Sequence, residues 1–523
     1  LLLKIKYIIL IYTMPSKKLN FSLAPINDNP TSGTGSTTSV DNGFSHKNGF
    51  PTIKFSIPAQ DVLLDVNNLY LSGQIFINDT NGNFVQNDNS TTGNIKKFNK
   101  NNAENDATNG NGIILNNTVN KSNWNGVSSV IDKVVIQSKK TQTELSTIIN
   151  YSSFNALKMG HSNNEDDYMR TALIRNMCAG VNSGFTDRHL NNTPFTGQSN
   201  LPNYGDKFAG QFFSFKLDVA LLNAQAIHLG NAFAGGLLIT LHLSPDSAFL
   251  HQRFRTVDGT ANGSISGASY QLKNIKLEGK YAIPTQQDLQ MYNPVITMNS
   301  RVNLMNDLVS SENANTYTPQ LRMVKGVVNT FLDDNQSNNY TMNQNNFRVP
   351  VGLEQYQQAK NNIRYPNDFQ TQVVPNCRSS ITAGGDVVPN ITSFPATLQG
   401  DSELRLQFGR ALLGGRLPAH TSATMDLTNS SIQGDYDTSA TASATAMKGD
   451  NTHPDLLGIA VDYNNNIGQT QNYVNQDYEL KVSSGVNTGR TNLPASRSNR
   501  VSIMESFVKN YSQIDLRTLQ KTQ

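Results

Sequence analysis

Two cysteines among 523 residues, Cys178 and Cys377, are too few and too far apart for a disulfide framework or a cysteine-based zinc site. That count points to folding in a reducing compartment, with both thiols inert in core or loop. Tryptophan is nearly missing, Trp124 being the single one, so an aromatic sugar-binding platform has little to build on. Charge of one sign is missing too: 42 basic against 39 acidic residues leave +3, too weak a field for a dedicated nucleic-acid binder. No apolar run reaches the roughly 20 residues that span a bilayer. The longest, LLLKIKYIILIYT at residues 1–13, precedes the first methionine, Met14, and has no small-residue cleavage site after it. It reads as upstream frame; its functional alternative is a weak membrane-facing anchor.

What fills the chain is Asn, Ser, Thr and Gly, with charged residues at only 15%. Such composition suits β proteins with long turn-rich loops, not Ala/Glu/Lys/Leu-rich helical bundles. The length allows roughly two to four domains, each large enough for its own core. In YQLKNIKLEGKYAIP (residues 270–284), Leu272, Ile275, Leu277, Tyr281 and Ile283 recur with a period close to two. That predicts a strand with one buried face. LLITLHLSPDSAFL (237–250) precedes it, and the two close a strand-rich first half. A second half is read as opening on VVNTFLDDNQSNNYTMN (327–343).

A Ser/Thr/Gly/Asn/Pro-rich segment, residues 24–48, is too poor in apolar residues to pack a core. Lys17 and Lys18 just before it suit either a solvated tail or contact with lipid headgroups or nucleic acid. Order is expected from PTIKFSIP, where Ile53, Phe55 and Ile57 alternate, followed by a strand over residues 62–78. Residues 78–125 are an Asn-rich low-complexity excursion, and residues 421–453 are another polar one. Asn-x-Ser/Thr matches at Asn78, Asn89, Asn116 and Asn150 are expected by chance in so Asn-rich a chain. Val130, Val134 and Ile136 predict a strand, and Leu145, Ile148, Ile149 and Leu157 a short helix after it. LRMVKGVVNTFL, FRVPVG, NNIRYPNDF, ELRLQFGRALLG, DLLGIAVDYN and YELKVSSG are strands or short helices of a second half similar in length and strand content. The likeness of the halves is read as a duplication at the level of the fold.

The order SVIDKVVIQSKKTQTELSTIINYSSFNAL, LLITLHLSPDSAFL, YQLKNIKLEGKYAIP, VVNTFLDDNQSNNYTMN, NNIRYPNDF resembles the major capsid proteins of polinton-like viruses and virophages, of the adenovirus-type double jelly-roll lineage. The likeness spans roughly residues 50–512 and rests on loose strand motifs. It implies an all-β chain of two consecutive eight-stranded antiparallel jelly rolls with short helices and long loop insertions. The expected division is an N-terminal flexible arm (1–49), a first jelly roll (50–290) and a second with the C-terminal segment (291–523). The implied role is a structural protein of the virion, assembled inside the infected host cell. Three chains would form a pseudo-hexagonal homotrimeric capsomer of the icosahedral shell of a double-stranded DNA virus. Implied partners are further copies of itself, penton and minor capsid or cement proteins, and weak inner-face contact with membrane or genome. No small-molecule substrate is implied. The two long excursions would be outer towers or intersubunit clasps, and the arm would lie on the inner face.

Candidate chemistry is sparse. His161 with Glu165, Asp166 and Asp167 has metal or acid–base side chains, but no second cluster at ligand spacing accompanies it. Asp333 and Asp334 are adjacent, so in a strand they would point to opposite faces and cannot flank one glycosidic bond; they read as a turn. TSGTGST (31–37) lacks the strand, helix and lysine of a phosphate cradle. His228 and His242 sit in strand-like runs and read as packed or interface residues. No catalytic residue, cofactor or metal ligand is assigned, and the chain is read as non-enzymatic. The alternatives are a carbohydrate-binding or host-attachment β-sandwich and a β-sandwich glycoside hydrolase or lyase.

Overall fold

A computed structural model describes residues 18–27, 43–46, 51–78, 113–115, 128, 130–162, 211–230, 235–246, 250–252, 269–309, 312–333, 353–371, 379–381, 387–389, 458–463, 469–484 and 502–522. Its long strands, in chain order, are β1 (Lys18–Leu23), β2 (Thr52–Ile57), β3 (Tyr70–Asn78), β4 (Ile131–Ser138), β5 (Glu144–Ile148), β6 (Gln211–Lys216), β7 (Leu237–Leu243) and β8 (Ser269–Ala282). The second set is β9 (Val295–Val309), β10 (Glu312–Tyr317), β11 (Val324–Asp333), β12 (Leu353–Lys360), β13 (Ile363–Thr371), β14 (Gly458–Asp462), β15 (Tyr478–Ser484) and β16 (Ser502–Asp515).

All pairings among the described strands are antiparallel. The first eight strands form two sheets, β1-β8-β3-β6 and β2-β7-β4-β5. The second eight form β9-β16-β11-β14 and β10-β15-β12-β13. Counted within each set, both read 1-8-3-6 and 2-7-4-5, which is the strand order of a jelly roll. The fold is therefore two jelly rolls in tandem, and the likeness read between the halves is a repeat of topology. Short strands extend the pattern: Leu63–Leu64 and Ile227–His228 join the first sheet, and Gln520–Thr522 hairpins back onto β16.

The sequence explains the local geometry of β8. Leu272 and Ile275 both face the core, yet they are three residues apart, one more than a regular strand permits. A bulge between Lys273 and Lys276 absorbs the extra residue, with Asn274 at φ 53° and its Nδ2 donating to Gln74 Oε1 at 2.7 Å. Leu277 and Tyr281 follow in phase. Ile283, counted with them from the sequence, lies beyond the strand end and is exposed. Ile53, Phe55 and Ile57 of β2, and Val134 and Ile136 of β4 are fully buried, as their alternation requires.

Four sequence expectations change. Order does not begin at residue 51: Lys18–Leu23 is the first strand of the first jelly roll. Its Leu19, Phe21 and Leu23 alternate, and Phe21 stacks on Tyr281 with ring centroids 4.1 Å apart. The ring roofs Gly279, where a Cβ would lie 2.5 Å from it. The strand expected over residues 62–78 is broken by a 3-10 turn at Val66–Asn68, because Asp65 accepts from Asn67 N (3.2 Å) and Asn68 Nδ2 (2.6 Å). The helix expected around Leu145 begins only at Tyr151, since Glu144–Ile148 pairs with β4 as β5. VVNTFLD is the third strand of the second jelly roll, which opens earlier at β9. FRVPVG, ELRLQFGRALLG, most of the two long excursions and residues 1–13 lie outside the described residues.

Two short helices lie at the junction of the jelly rolls. α1 (Tyr151–Ser162) starts after Asn150, whose φ of 52° turns the chain out of β5 and whose carbonyl accepts from Phe154 N. Tyr151, Phe154 and Leu157 recur at a three-residue spacing and are buried. α2 (Gln286–Met291) joins the two jelly rolls and is held by a capping box: Thr285 Oγ1 accepts from Asp288 N, and Asp288 Oδ2 accepts from Thr285 N at 2.8 Å.

Candidate functional site: the seam between the jelly rolls

The residues that could carry chemistry are not brought together. Asp333 ends β11, and Asp334 lies outside the described residues, as do Glu165–Asp167, Thr31–Thr37, Trp124, Cys178 and Cys377. His161 is in the last turn of α1. Among the described residues no group of three or more His, Cys, Asp or Glu is placed to hold a metal ion. His228 is buried, its Nε2 2.8 Å from Asp61 Oδ1 and its ring edge-on to Tyr292. His242 lies on β7, where burial and then Lys133 lower its pKa while Asp132 opposes them.

The built feature of this chain is the seam where one jelly roll meets the other. On β16, Ser506 points into the second sandwich, donating to Asn329 Oδ1 at 2.7 Å, and Met504 contacts Asn315 of the opposite sheet. Alternation then turns Glu505, Phe507 and Lys509 outward. An outward face would ordinarily be solvated, yet every residue from Met504 to Asn510 is buried. The outward face is covered by the first jelly roll. Phe507 meets Phe154 of α1 edge to face, ring centroids 5.0 Å apart, and Asn150 Nδ2 donates to Glu505 Oε1 at 2.5 Å. Asn150, one of the Asn-x-Ser/Thr matches, thus has its amide committed to the seam. Buried apolar residues of both jelly rolls form one continuous cluster.

The linker is tied down as well. Tyr292 OH accepts from His228 N at 3.1 Å and donates to Ala226 O at 3.2 Å, while Gln225 Nε2 donates to Asn293 O at 2.7 Å. Burial lowers the pKa of Lys521 on the terminal strand, and the charge of Glu144 on β5 raises it in part. Two regions of the chain therefore tie the second unit to the first: the linker and β16.

Glu505 is the anomaly of the seam. Burial, with the charge of Asp132 adding to it and the Ser153 side chain opposing, pushes its carboxyl up to about 8. Its Oε2 has no hydrogen-bond partner, and neither do the buried Thr147 Oγ1 on β5 and Thr330 Oγ1 on β11. The sequence offered no signal for this region. In MESFVKN polar and apolar residues are mixed without period, because both faces of the strand are buried against different neighbours.

The second sandwich also has a polar interior. Asn329 Nδ2 donates to Tyr478 OH (2.7 Å) and Ile459 O (3.1 Å), Tyr478 OH donates to Gln358 Oε1 (2.7 Å), and the Tyr463 and Tyr473 hydroxyls bond to each other. Burial raises the pKa of Tyr478 well above the usual phenol value, so the network is neutral. Such a network fixes register between facing sheets, since displacing any member leaves a buried polar group unpaired.

These features define a structural class: a tandem of two jelly rolls locked into one body by an apolar and polar seam. No protein-family model and no curated protein sequence matches the chain. Among solved structures it is similar to a chain of the Sputnik virophage cryo-EM structure, at 10% identity over 97% of this chain and 88% of that one, TM-score 0.41. It is similar also to the mavirus major capsid protein, at 9% identity over 96% and 89%, TM-score 0.43. The Faustovirus major capsid protein is a third, at 9% identity over 95% and 90%, TM-score 0.39.

Proposed function

We propose that the protein is a non-enzymatic major capsid protein that builds an icosahedral shell from homotrimeric, pseudo-hexagonal capsomers. The observation that carries this reading is the repeated 1-8-3-6 and 2-7-4-5 strand order in two units sharing one continuous core. A chain of two like blocks in fixed relation supplies two of six corners, and three copies complete a near-hexagon. Closure of that ring requires a heterologous contact, different patches meeting at each junction. A seam held at the linker and along β16 supports the reading, because a hinged pair of blocks would not hold a lattice angle. On this reading the protein resides in the virion of a double-stranded DNA virus after assembly in the host cell. Its partners are its own copies, penton and cement proteins, with weak contact to membrane or genome at the inner face.

Light scattering of the purified protein, followed by electron microscopy of the same sample, tests this. The expected result is three times the chain mass with a hexagonal outline, or assembled shells. A monomer that never forms either overturns it.

A further inference from the structure

Glu505 is a buried carboxyl that takes a hydrogen bond from Asn150 across the seam through Oε1, while its buried Oε2 has no hydrogen-bond partner. A buried carboxylate is tolerated when a cation or several N–H donors meet it. Among the described residues no cation and only one N–H donor, Asn150, meets it. From the first jelly roll come Asn150, just before α1, and Ser153 in its first turn, neither titratable, and Asp132 of β4, which carries the same charge. The basic side chains of that region, His242, Lys133 and His46, act on Asp132. On the second jelly roll, Glu505 is flanked in register by Thr330 of β11 and Asn306 of β9. Lys509 lies on the same face of β16, one step of the alternation beyond Phe507, and Lys521 at the hairpin feels the charge of Glu144.

We propose that Glu505 is a protonation-dependent latch between the two jelly rolls: neutral, it lets the seam close around it; ionised, it sets two carboxylates against each other across the seam and loosens it. The device responds to hydroxide alone and needs no ligand.

The sign follows from proton linkage. A carboxyl at 4.5 in the unfolded chain and about 8 when folded binds more protons in the folded state between those values. Stability contributed by the neutral carboxyl is complete below the lower value, falls as pH rises through the window, and is gone above the upper one. At full effect the unfolding constant rises by up to about tenfold per pH unit within it.

The experiment is the unfolding constant of the full chain, from urea denaturation at a series of pH values between 5 and 9, for wild type, Glu505→Gln and Asp132→Asn. Subtracting the Glu505→Gln profile removes every other titrating group. The expected difference widens steadily toward about pH 8 and then levels, wild type being the less stable at the alkaline end. Asp132→Asn should bring the levelling to lower pH, because the like charge that helps hold the proton is gone. Corrected for the base-catalysed rise of intrinsic exchange with pH, the protection of α1 and β16 amides should fall over the same range in wild type and not in Glu505→Gln. Parallel profiles of wild type and Glu505→Gln overturn the proposal. Should Glu505→Gln fail to fold, a levelling point unmoved by Asp132→Asn overturns it as well.

Discussion

Replacing Phe507 with Ala tests whether the seam holds the molecule together. The side chain is fully buried, lies on the outward face of β16, and meets Phe154 edge to face at 5.0 Å. Truncating a buried Phe removes its transfer free energy and leaves a cavity, a loss of about 3–5 kcal/mol. Of this, about 0.5–1.5 kcal/mol belongs to the aromatic pair beyond area alone. A domain's whole stability is about 5–15 kcal/mol, so the variant should be visibly weakened. The assay is urea denaturation of wild type, Phe507→Ala, Phe154→Ala and the double variant, followed by far-ultraviolet circular dichroism. The expected coupling between the two sites is about 0.5–1.5 kcal/mol, and the single wild-type transition should split as the jelly rolls unfold separately. A cost below about 0.5 kcal/mol, the range of surface substitutions, would refute the seam. So would additivity within about 0.3 kcal/mol, since side chains in contact should couple.

Gly236 has φ +88°, and a Cβ there would stand 2.1 Å from the Ile57 carbonyl oxygen, so Gly236→Ala should cost at least about 2 kcal/mol through strain and overlap; an unchanged melting temperature would contradict this. Asn329→Ala strips partners from Ser506 and Tyr478 and should lower stability by about 1–3 kcal/mol for each buried group left unpaired, read from the denaturation midpoint. Phe21→Ala removes the stack on Tyr281, worth about 0.5–1.5 kcal/mol beyond area, and should speed hydrogen exchange at β8 amides that pair with β1, while β2–β7 amides stay protected. Equal exchange in both pairs would place the strength of β1 elsewhere.

The all-β class and much of the first jelly roll were legible in the residues alone. Period-two alternation survives wherever a strand has one face in a core and the other in solvent. Ile53, Phe55 and Ile57 could be assigned for that reason, as could Val134 and Ile136. Even the bulge at Asn274 was written in the three-residue step from Leu272 to Ile275, although only the structure shows which residue leaves the ladder. Composition told against disulfides and a strong charge field without any geometry, and strand-rich halves of similar length suggested the repeat that the strand order demonstrates.

Tertiary structure decided the rest. β1 looked like the start of an arm because six residues cannot reveal that a distant Tyr281 and a bare Gly279 await Phe21. Glu144–Ile148 looked helical because Leu145 and Ile148 fit either period, and pairing with β4 settles it. The longest ladder among the described strands, β9 with β16, escaped altogether. A strand buried on one side by its own sandwich and on the other by a second jelly roll loses its alternation, and its Glu505 is indistinguishable in sequence from a solvated glutamate. Which side chains lie between two domains depends on how the domains dock. Docking depends on contacts such as that of Asn150 with Glu505, 355 positions apart, which no local period encodes.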